Sequence, residues 1–347
     1  MKITPSPSRS HYAAKPGIFL LVVAFLVGMV GYGGSCGVDN TPPSENLEIR
    51  TWYNLDNVRD NLDGDHILMN DLDSTTAGYK ELASPTANGG TGWQPIGFPT
   101  PHGSTAYVGF SGTFDGQGYE IHDLFINRPD EDWVGLFGET YGAFISDTGV
   151  VNVTVIGAEY IGGLVAVNEG TLSNCYCSGK VTGNKDVGGL VGVNNHGTVY
   201  NSYFTGNVIG NLQVGGLAGR NNGTVSDSYS TGNVTGESHV GGLAGCQSVG
   251  IVSNSYCTGS VTGNSHFGGL VGTNYAGPVT NSFWDTETSG QSTSDGGTGK
   301  NTTVMKNITT FSGAAWNIIA VALNETNPAY IWNIVHNVTY PFLGWQS

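Results

Sequence analysis

A segment of 26 to 28 residues recurs along this chain, and the repeat limits the possible folds more than any other feature. Aligned on the leucine of Val-Gly-Gly-Leu and its variants, successive copies are 28, 26, 27, 26 and 27 residues apart. A unit this short cannot bury a core of its own, but stacked copies can, because each strand pairs with its equivalent one coil along. The repeat therefore predicts an all-β fold, a parallel β-helix or β-solenoid, which the crossover rule makes right-handed. The aligned leucines are Leu136, Leu164, Leu190, Leu217, Leu243 and Leu270.

Three columns of similar residues follow these leucines. At a rise of ~4.8 Å per coil their side chains would touch along the stack as structural ladders, in which amides hydrogen-bond and rings stack. Corner glycines would supply positive φ angles. The first predicted ladder is Asn168, Asn194, Asn221, Gln247 and Asn274. The second is Asn174, Asn201, Asp227, Asn254 and Asn281, and the aromatic one is Tyr176, Tyr203, Tyr229, Tyr256 and Phe283.

The N-terminus carries an export signature. Lys2, Arg9 and Lys15 precede an apolar run at 18–30, which is shorter than the ~20 residues of a membrane span. Cys36 is a candidate lipidated residue, although Gly33 stands where bacterial lipoproteins usually have leucine. A lipoprotein, a plainly cleaved signal peptide and a retained anchor all stay open.

The repeat and its flanks divide the chain into five predicted segments. These are a signal peptide or membrane anchor (1–36), a linker (37–50), an N-terminal cap with irregular first coils (51–133), the repeat solenoid (134–290) and a C-terminal capping region (291–347). Open solenoid ends expose strand edges and need covering. For the N-terminal cap we expect a helix at Leu55–Leu62 and strands near His66–Met69, Tyr107–Phe114 and Tyr119–Ile126. For the C-terminal cap we expect a helix at Thr302–Phe311, a strand at Ile331–Val335 and an apolar plug of Trp316, Trp332, Tyr340 and Phe342.

Composition and cysteine placement narrow the class of protein. The formal net charge is −15, and the only basic residues between 134 and 285 are Lys180, Lys185 and Arg220, so nucleic acid is an unlikely partner. Cys175 and Cys177 stand two apart in one predicted strand, and Cys257 lies three coils from Cys177, so none of these pairs is close enough for a disulfide. Stability must come from stacking.

The repeat resembles a known family. Val-Gly-Gly-Leu-Val-Gly-Val-Asn at 187–194, followed by Asn-Ser-Tyr-Phe-Thr-Gly-Asn-Val at 201–208, is similar to the GLUG repeat of bacterial and archaeal surface proteins, adhesins and the non-catalytic region of some immunoglobulin A proteases. The flanking segments 93–97, 110–118 and 283–290 resemble the usual setting of these repeats. The resemblance implies surface exposure and interaction, and it supplies no catalytic residues to transfer.

Three further features suggest chemistry, each beside a plainer interpretation. The acidic cluster Asp63, Asp65, Asp71 and Asp73 has oxygen ligands suited to Ca²⁺, but its spacing lacks an EF-hand pattern and also fits ordinary turns. His239 and His266 share one column on adjacent coils, where they would bind a metal, sense pH or simply occupy a solvated turn. Glycosylation sequons stand at Asn152, Asn222, Asn233, Asn301, Asn307, Asn324 and Asn337.

We therefore expect an exported, extracellular or cell-surface structural and adhesive solenoid. Its partner would be an extracellular protein or polysaccharide, with the membrane contacted only through the N-terminal segment or a lipid. No cofactor beyond the weak Ca²⁺ candidate is indicated. The alternative is a carbohydrate-active or carbohydrate-binding β-helix protein of pectin-lyase-like architecture. Because the acids of the repeats fall in different columns, no catalytic constellation is visible and we expect no enzyme.

Overall fold

The computed structural model describes residues 47–97 and 109–346. The predicted export signal, Cys36 and most of the predicted linker lie outside the described residues. Among the residues that are described, no helix is both long and apolar enough to cross a membrane.

Three parallel sheets build a β-solenoid of about six turns, which confirms the predicted fold class. Strands are numbered along the chain. The first sheet contains β1 (Leu47–Ile49), β2 (Asp65–Leu68), β3 (Thr113–Asp115), β6 (Phe137–Ser146), β9 (Val165–Ser173), β12 (Val191–Asn194), β13 (Thr198–Tyr200), β16 (Ala218–Asn221), β17 (Thr224–Ser226), β21 (Ala244–Gln247), β22 (Ile251–Ser253), β26 (Val271–Asn274) and β27 (Val279–Thr280). The second contains β4 (Glu120–His122), β5 (Phe125–Asn127), β7 (Gly149–Ile156), β10 (Tyr176–Thr182), β14 (Tyr203–Ile209), β18 (Tyr229–Ser230), β19 (Asn233–Thr235), β23 (Tyr256–Cys257), β24 (Val261–Thr262), β28 (Phe283–Asp285) and β29 (Thr298–Lys300). The third contains β8 (Glu159–Gly162), β11 (Lys185–Gly188), β15 (Leu212–Gly215), β20 (Ser238–Gly241) and β25 (Ser265–Gly268).

A small fourth sheet and the helices lie outside this stack. The fourth sheet contains β30 (Ile318–Ala320), β31 (Trp332–Ile334) and β32 (Phe342–Leu343). The helices are α1 (Trp52–Asp56), α2 (Tyr79–Leu82), α3 (Thr286–Ser289), α4 (Thr302–Met305) and α5 (Ile308–Ser312), with 3₁₀ turns at Asn57–Asp60 and Ala87–Gly90.

Register between coils follows the repeat. Tyr176 pairs with Tyr203, Tyr203 with Tyr229 and Tyr229 with Tyr256. Side chains alternate across each strand, so the neighbouring inward positions form the core. That core includes fully buried Val181 and Val208, and it extends into the N-terminal coils. Each coil buries its apolar face on the next, as the period required.

The positive φ angles at the corners do not come mainly from glycine, contrary to the expectation. The second ladder supplies the positive φ angles, with values from 46° to 53° at Asn174, Asn201, Asp227, Asn254 and Asn281. Short polar side chains tolerate this left-handed conformation because they hydrogen-bond locally. Gly189 serves a different purpose, since a Cβ there would lie 2.2 Å from Cγ of Phe204 and 2.3 Å from the Gly216 oxygen. Most repeat glycines therefore permit close approach of coils and do not set φ.

The N-terminal helix starts three residues before its predicted position. Thr51 caps α1, because its hydroxyl accepts a hydrogen bond from the Asn54 amide at 3.2 Å. The strand predicted near His66–Met69 is observed as β2. Of the strand predicted near Tyr107–Phe114, residues 107 and 108 lie outside the described residues, and β3 includes only Thr113 and Phe114. The single strand predicted at Tyr119–Ile126 is two strands, β4 and β5, separated by Asp123 with φ 59°.

The C-terminal region divides into two parts with different roles. Thr293 and Ser294 close the last coil, since the Thr293 carbonyl accepts from Gly269 N and the Ser294 hydroxyl accepts from Val271 N, both at 2.9 Å. Residues 301–346, which we call the strap, do not plug the end as expected. They run back along the outside of the solenoid and cover the aromatic ladder.

The strap is attached by its tryptophans. The indole N–H groups of Trp316 and Trp345 donate to the backbone oxygens of Asn281 and Asn201, at 2.8 and 3.2 Å. Trp332, fully buried, packs against the rings of Tyr229 and Tyr256. Outward-facing tyrosines are an apolar surface that water would otherwise cover, so burying them beneath the strap is favourable.

Candidate functional site

One outward column of the solenoid changes its side chain at nearly every coil. It holds the residue two positions before each Gly-Gly-Leu sequence. Trp133 joins it from the first coil, where Val134 pairs with Ile161 and so places Trp133 beside Tyr160. We call this column the variable column. In the ladders the stack repeats tyrosine, valine, serine or an amide because those residues hold coils together. A position that is free to vary contributes less to stacking and is available for recognition. The variable column is Trp133, Tyr160, Asp186, Gln213, His239 and His266.

The backbone fixes how the variable column is displayed. Each member has a positive φ, between 51° and 61°, and the β-ladder of the third sheet skips it: Lys185 pairs with Leu212 and Val187 with Val214, but Asp186 has no pair. Non-glycine residues rarely adopt this conformation, and bulky ones do so at a cost. The regular strands on either side impose it, so side chains leave the corner in line, one per coil.

Aromatic and charged groups occupy the first half of the variable column. The rings of Trp133 and Tyr160 stack with centroids 5.4 Å apart and 30° between their planes. The Lys185 ammonium lies 5.6 Å from the centre of the Tyr160 ring and forms a 2.9 Å ion pair with Glu159. All four side chains are partly exposed. They form a mixed aromatic and ionic surface.

Asp186 is the buried member of the variable column. Its side chain is fully enclosed and its Oδ1 lies 3.3 Å from Nε of Arg220, but neither carboxylate oxygen makes a hydrogen bond. Burial raises the pKa of Asp186 to about 6, against the opposing effects of Arg220 and Lys185. A buried acid without hydrogen bonds is costly to the fold.

A second varied column faces the variable column across the corner. Its members pair in register along the first sheet, as in Val193 with Arg220 and Cys246 with Thr273. The hydroxyl of Thr273 and the Nε of Arg220 are buried without a hydrogen-bond partner. Unsatisfied polar atoms of the described residues thus gather at this corner, although they also occur at other places such as His66.

The histidine pair lies at the C-terminal end of the variable column. The imidazole rings of His239 and His266 stack with centroids 4.9 Å apart and 10° between their planes. Burial, and then the neighbouring His266, lower the pKa of His239. The sequence alone predicted this proximity.

The first predicted amide ladder is a chain of hydrogen bonds. Asn168 donates to Asn194 at 2.9 Å, Asn194 to Asn221 at 2.9 Å and Asn221 to Gln247 at 2.8 Å, and all four are fully buried. Gln247 and Asn274 pair in register, but their side-chain amides donate to the turn carbonyls of Gly250 and Gly277. The ladder therefore holds the corner together and leaves no free amide for a ligand.

The aromatic ladder, like the amide ladder, serves packing. Ring centroids from Tyr176 to Tyr203, Tyr203 to Tyr229 and Tyr229 to Tyr256 are 5.0, 4.9 and 5.0 Å apart. Phe283 continues the register above Tyr256. Because the strap covers these rings, the aromatic ladder is not an open binding face.

A serine ladder was missed by sequence reasoning. Ser202, Ser228, Ser255 and Ser282 are buried, and each hydroxyl accepts from the backbone amide one coil before it while donating to the carbonyl two residues earlier. The recurring Asn-Ser-Tyr/Phe or Asp-Ser-Tyr triplet was the available signal. These serines satisfy turn backbone and have no hydroxyl free for catalysis.

The predicted Ca²⁺ ligands are not brought together. Asp65 accepts from the Thr113 hydroxyl, Asp71 from the Glu120 amide, and Asp73 caps its own turn through Thr75 N at 2.8 Å. Within residues 47–97 and 109–346, no group of three or more His, Cys, Asp or Glu side chains is placed to hold a metal ion. The carboxylates of Asp65, Asp71 and Asp73 are used separately, which fits the turn interpretation.

The four described cysteines, Cys175, Cys177, Cys246 and Cys257, are free and buried. Burial raises the pKa of the Cys175 thiol to about 12, so it stays protonated and unreactive. An open cavity of about 330 Å³ lies beside α2, lined by Tyr53 and residues 74–81. It is remote in sequence from the repeats.

Comparison with known proteins identifies the repeat. Residues 157–182, 183–209 and 210–235 each match the family described as the GLUG motif. Halomucin of Haloquadratum walsbyi is 39% identical over 106 residues, which are 30% of this chain and 1% of that protein. The "Putative Gly-rich membrane protein" of Evansella cellulosilytica is 36% identical over 137 residues, 36% of this chain and 14% of that protein. The chain thus spans a small part of these curated relatives.

The fold also has a solved counterpart. The crystal structure of a "putative immunoglobulin A1 protease" from Bacteroides ovatus superposes with a TM-score of 0.59 and 20% identity, covering 87% of this chain and 93% of that one. At this identity the likeness concerns the fold alone.

Proposed function

We propose that this chain, which carries GLUG-motif repeats, is a cell-surface or secreted structural and adhesive solenoid that binds an extracellular polymer along its variable column. The observation that carries the proposal is the contrast between columns. Repeated residues are buried in ladders or beneath the strap, whereas the variable column presents Trp133, Tyr160, Gln213 and both histidines at least partly to solvent.

A polysaccharide fits this surface better than other polymers. Aromatic rings beside amide and ionic groups are suited to sugars, which present both apolar faces and hydroxyls. A net charge of −15 disfavours a polyanion. The one-coil spacing of the column suits an extended, repetitive ligand that contacts several coils at once.

We propose that the chain binds a polysaccharide and does not cleave it. Glu159, next to the column, is paired with Lys185, and Asp186 is enclosed beside Arg220. These two acids are therefore not a pair of open carboxylates across a sugar bond. Turnover of any polysaccharide by the purified protein would instead support the carbohydrate-active alternative.

The test is a binding screen on a glycan array, followed by co-sedimentation with the polysaccharides that score. We expect the double variant Trp133→Ala/Tyr160→Ala to lose about tenfold or more in affinity, on the order of 1.4 kcal/mol. Tyr275→Ala is the matched control, since Tyr275 is a 67% exposed aromatic residue outside the column. Equal affinity of the double variant and the wild type would overturn the assignment of the binding face.

A further inference from the structure

Two histidines meet in a geometry that the adhesive role does not require. His239 and His266 occupy the second positions of β20 and β25, whose flanking residues pair in parallel register, Ser238 with Ser265 and Val240 with Phe267. Their φ angles are 56° and 51°, so both side chains leave the backbone in the same direction. Their rings stack 4.9 Å apart as a consequence.

We propose that His239 and His266 form a binding site for one borderline divalent transition-metal ion, Ni²⁺, Cu²⁺ or Zn²⁺. Imidazole nitrogen is a preferred ligand of these ions. Two metal–nitrogen bonds of about 2.0–2.1 Å require the two nitrogens to lie no more than about 4.2 Å apart. Binding therefore requires the two rings to turn from the stacked arrangement, and the broad χ2 wells of imidazole permit such a rotation.

A chain of hydroxyl groups beside the pair can orient one imidazole for metal binding. The Ser265 hydroxyl donates to the Ser238 hydroxyl at 3.0 Å, and Ser238 in turn lies 2.9 Å from Nδ1 of His239. When Nδ1–H of His239 donates to Ser238, this outer hydrogen bond orients the imidazole and leaves Nε2 for the ion.

The site would have only two protein ligands. His266 is exposed, so water or a ligand bound at the surface would complete the coordination. An ion held in this way is exchangeable and open to a donor group of an extracellular partner. The site lies on the same variable column as the proposed polymer-binding face. It needs neither Trp133 nor Tyr160, so metal binding and polymer binding can fail separately.

The experiment titrates the full-length protein with Ni²⁺, Cu²⁺ and Zn²⁺ separately, by calorimetry, with electron paramagnetic resonance of the Cu²⁺ complex. We expect a site whose affinity falls about tenfold or more in both His239→Ala and His266→Ala, with loss of the two-nitrogen signature. His196→Ala is the matched control: His196 is also exposed at a positive-φ turn position, 58°, but stands in another column.

A gain-of-ligand variant tests the geometry directly. Gln213 is the neighbour of His239 one coil earlier, so Gln213→His creates a second imidazole pair and should restore two-nitrogen binding when it is added to His266→Ala. Unchanged binding in both alanine variants, or an equal loss in His196→Ala, would overturn the site. All variants are compared by thermal melting without metal, so that a folding defect is not mistaken for lost coordination.

Discussion

The two outer flanks of the solenoid follow opposite rules. On one flank the same ring recurs from Tyr176 to Tyr256, and the strap buries it until Tyr256 is only 1% exposed. On the other flank the variable column changes from coil to coil, and its members are at least partly exposed, apart from Asp186. In a stacked repeat, identical residues supply stability because like packs on like. Residues that both vary and reach solvent mark surface that stability leaves free.

The repeated flank should carry the larger share of stability. Replacing Tyr256 by alanine removes a ring that stacks on Tyr229 and packs against Trp332, and we expect the free energy of unfolding to fall by about 3–5 kcal/mol. Chemical denaturation measures the change. Tyr275→Ala, an exposed ring outside both flanks, should stay within about 0.5 kcal/mol. Similar losses for both variants would break the comparison.

Interrupting the amide ladder at the corner between the flanks should lower the free energy of unfolding by less than Tyr256→Ala does. Asn194→Ala interrupts the amide ladder between Asn168 and Asn221 in a fully buried position, so we expect a loss of about 2 kcal/mol in unfolding free energy. Asn195→Ala is the neighbouring control, because Asn195 is only half-buried and its amide bonds to Glu169. A ladder that tolerated Asn194→Ala as well as Asn195→Ala would have no structural importance.

A substitution in the variable column should raise the free energy of unfolding, whereas substitutions in the ladders lower it. The folded-state pKa of Asp186, about 6, exceeds its ordinary value of 3.8, so the protonated form favours the folded protein. Its stabilising contribution is present below about pH 4 and is lost as the pH rises through 6. Asp186→Asn should therefore stabilise the protein at pH 7, by on the order of 1–2 kcal/mol, and have little effect at pH 4.

Urea denaturation at both pH values measures this difference. If Asp186→Asn destabilises the protein at pH 7, then the ion pair with Arg220 outweighs burial and the column is built for stability after all. The stabilising outcome would sharpen the contrast between the flanks, since a costly residue at an otherwise free position is typical of a functional site.

Residues that repeat along the chain could be placed from the sequence, and residues that do not repeat could not. The ladders of Asn168 and Tyr203 followed from spacing alone, because a fixed period fixes which side chains meet. The paired histidines followed for the same reason. The serine ladder was within reach of the same argument, because Ser228 and its equivalents recur in register as strictly as the tyrosines.

The destination of the strap lay beyond this reasoning. Trp316, Trp332 and Trp345 are not part of the repeat. Their spacing does not show whether they cover the end of the solenoid or its side. The enclosure of Asp186 was equally hidden, since it depends on Arg220 in the next coil, across the corner. Neither period nor composition encodes contacts between different columns.

The sequence by itself determined the solenoid, its coil length and the identity of its ladders. Residues one repeat apart in the sequence lie next to each other on adjacent coils, so the period alone decides which side chains meet. Only the tertiary structure decided which flank is covered and which stays open. That choice depends on where a single non-repeating segment packs, and such packing is selected by the shape and apolar area of the assembled surface, which exists only after the coils have stacked.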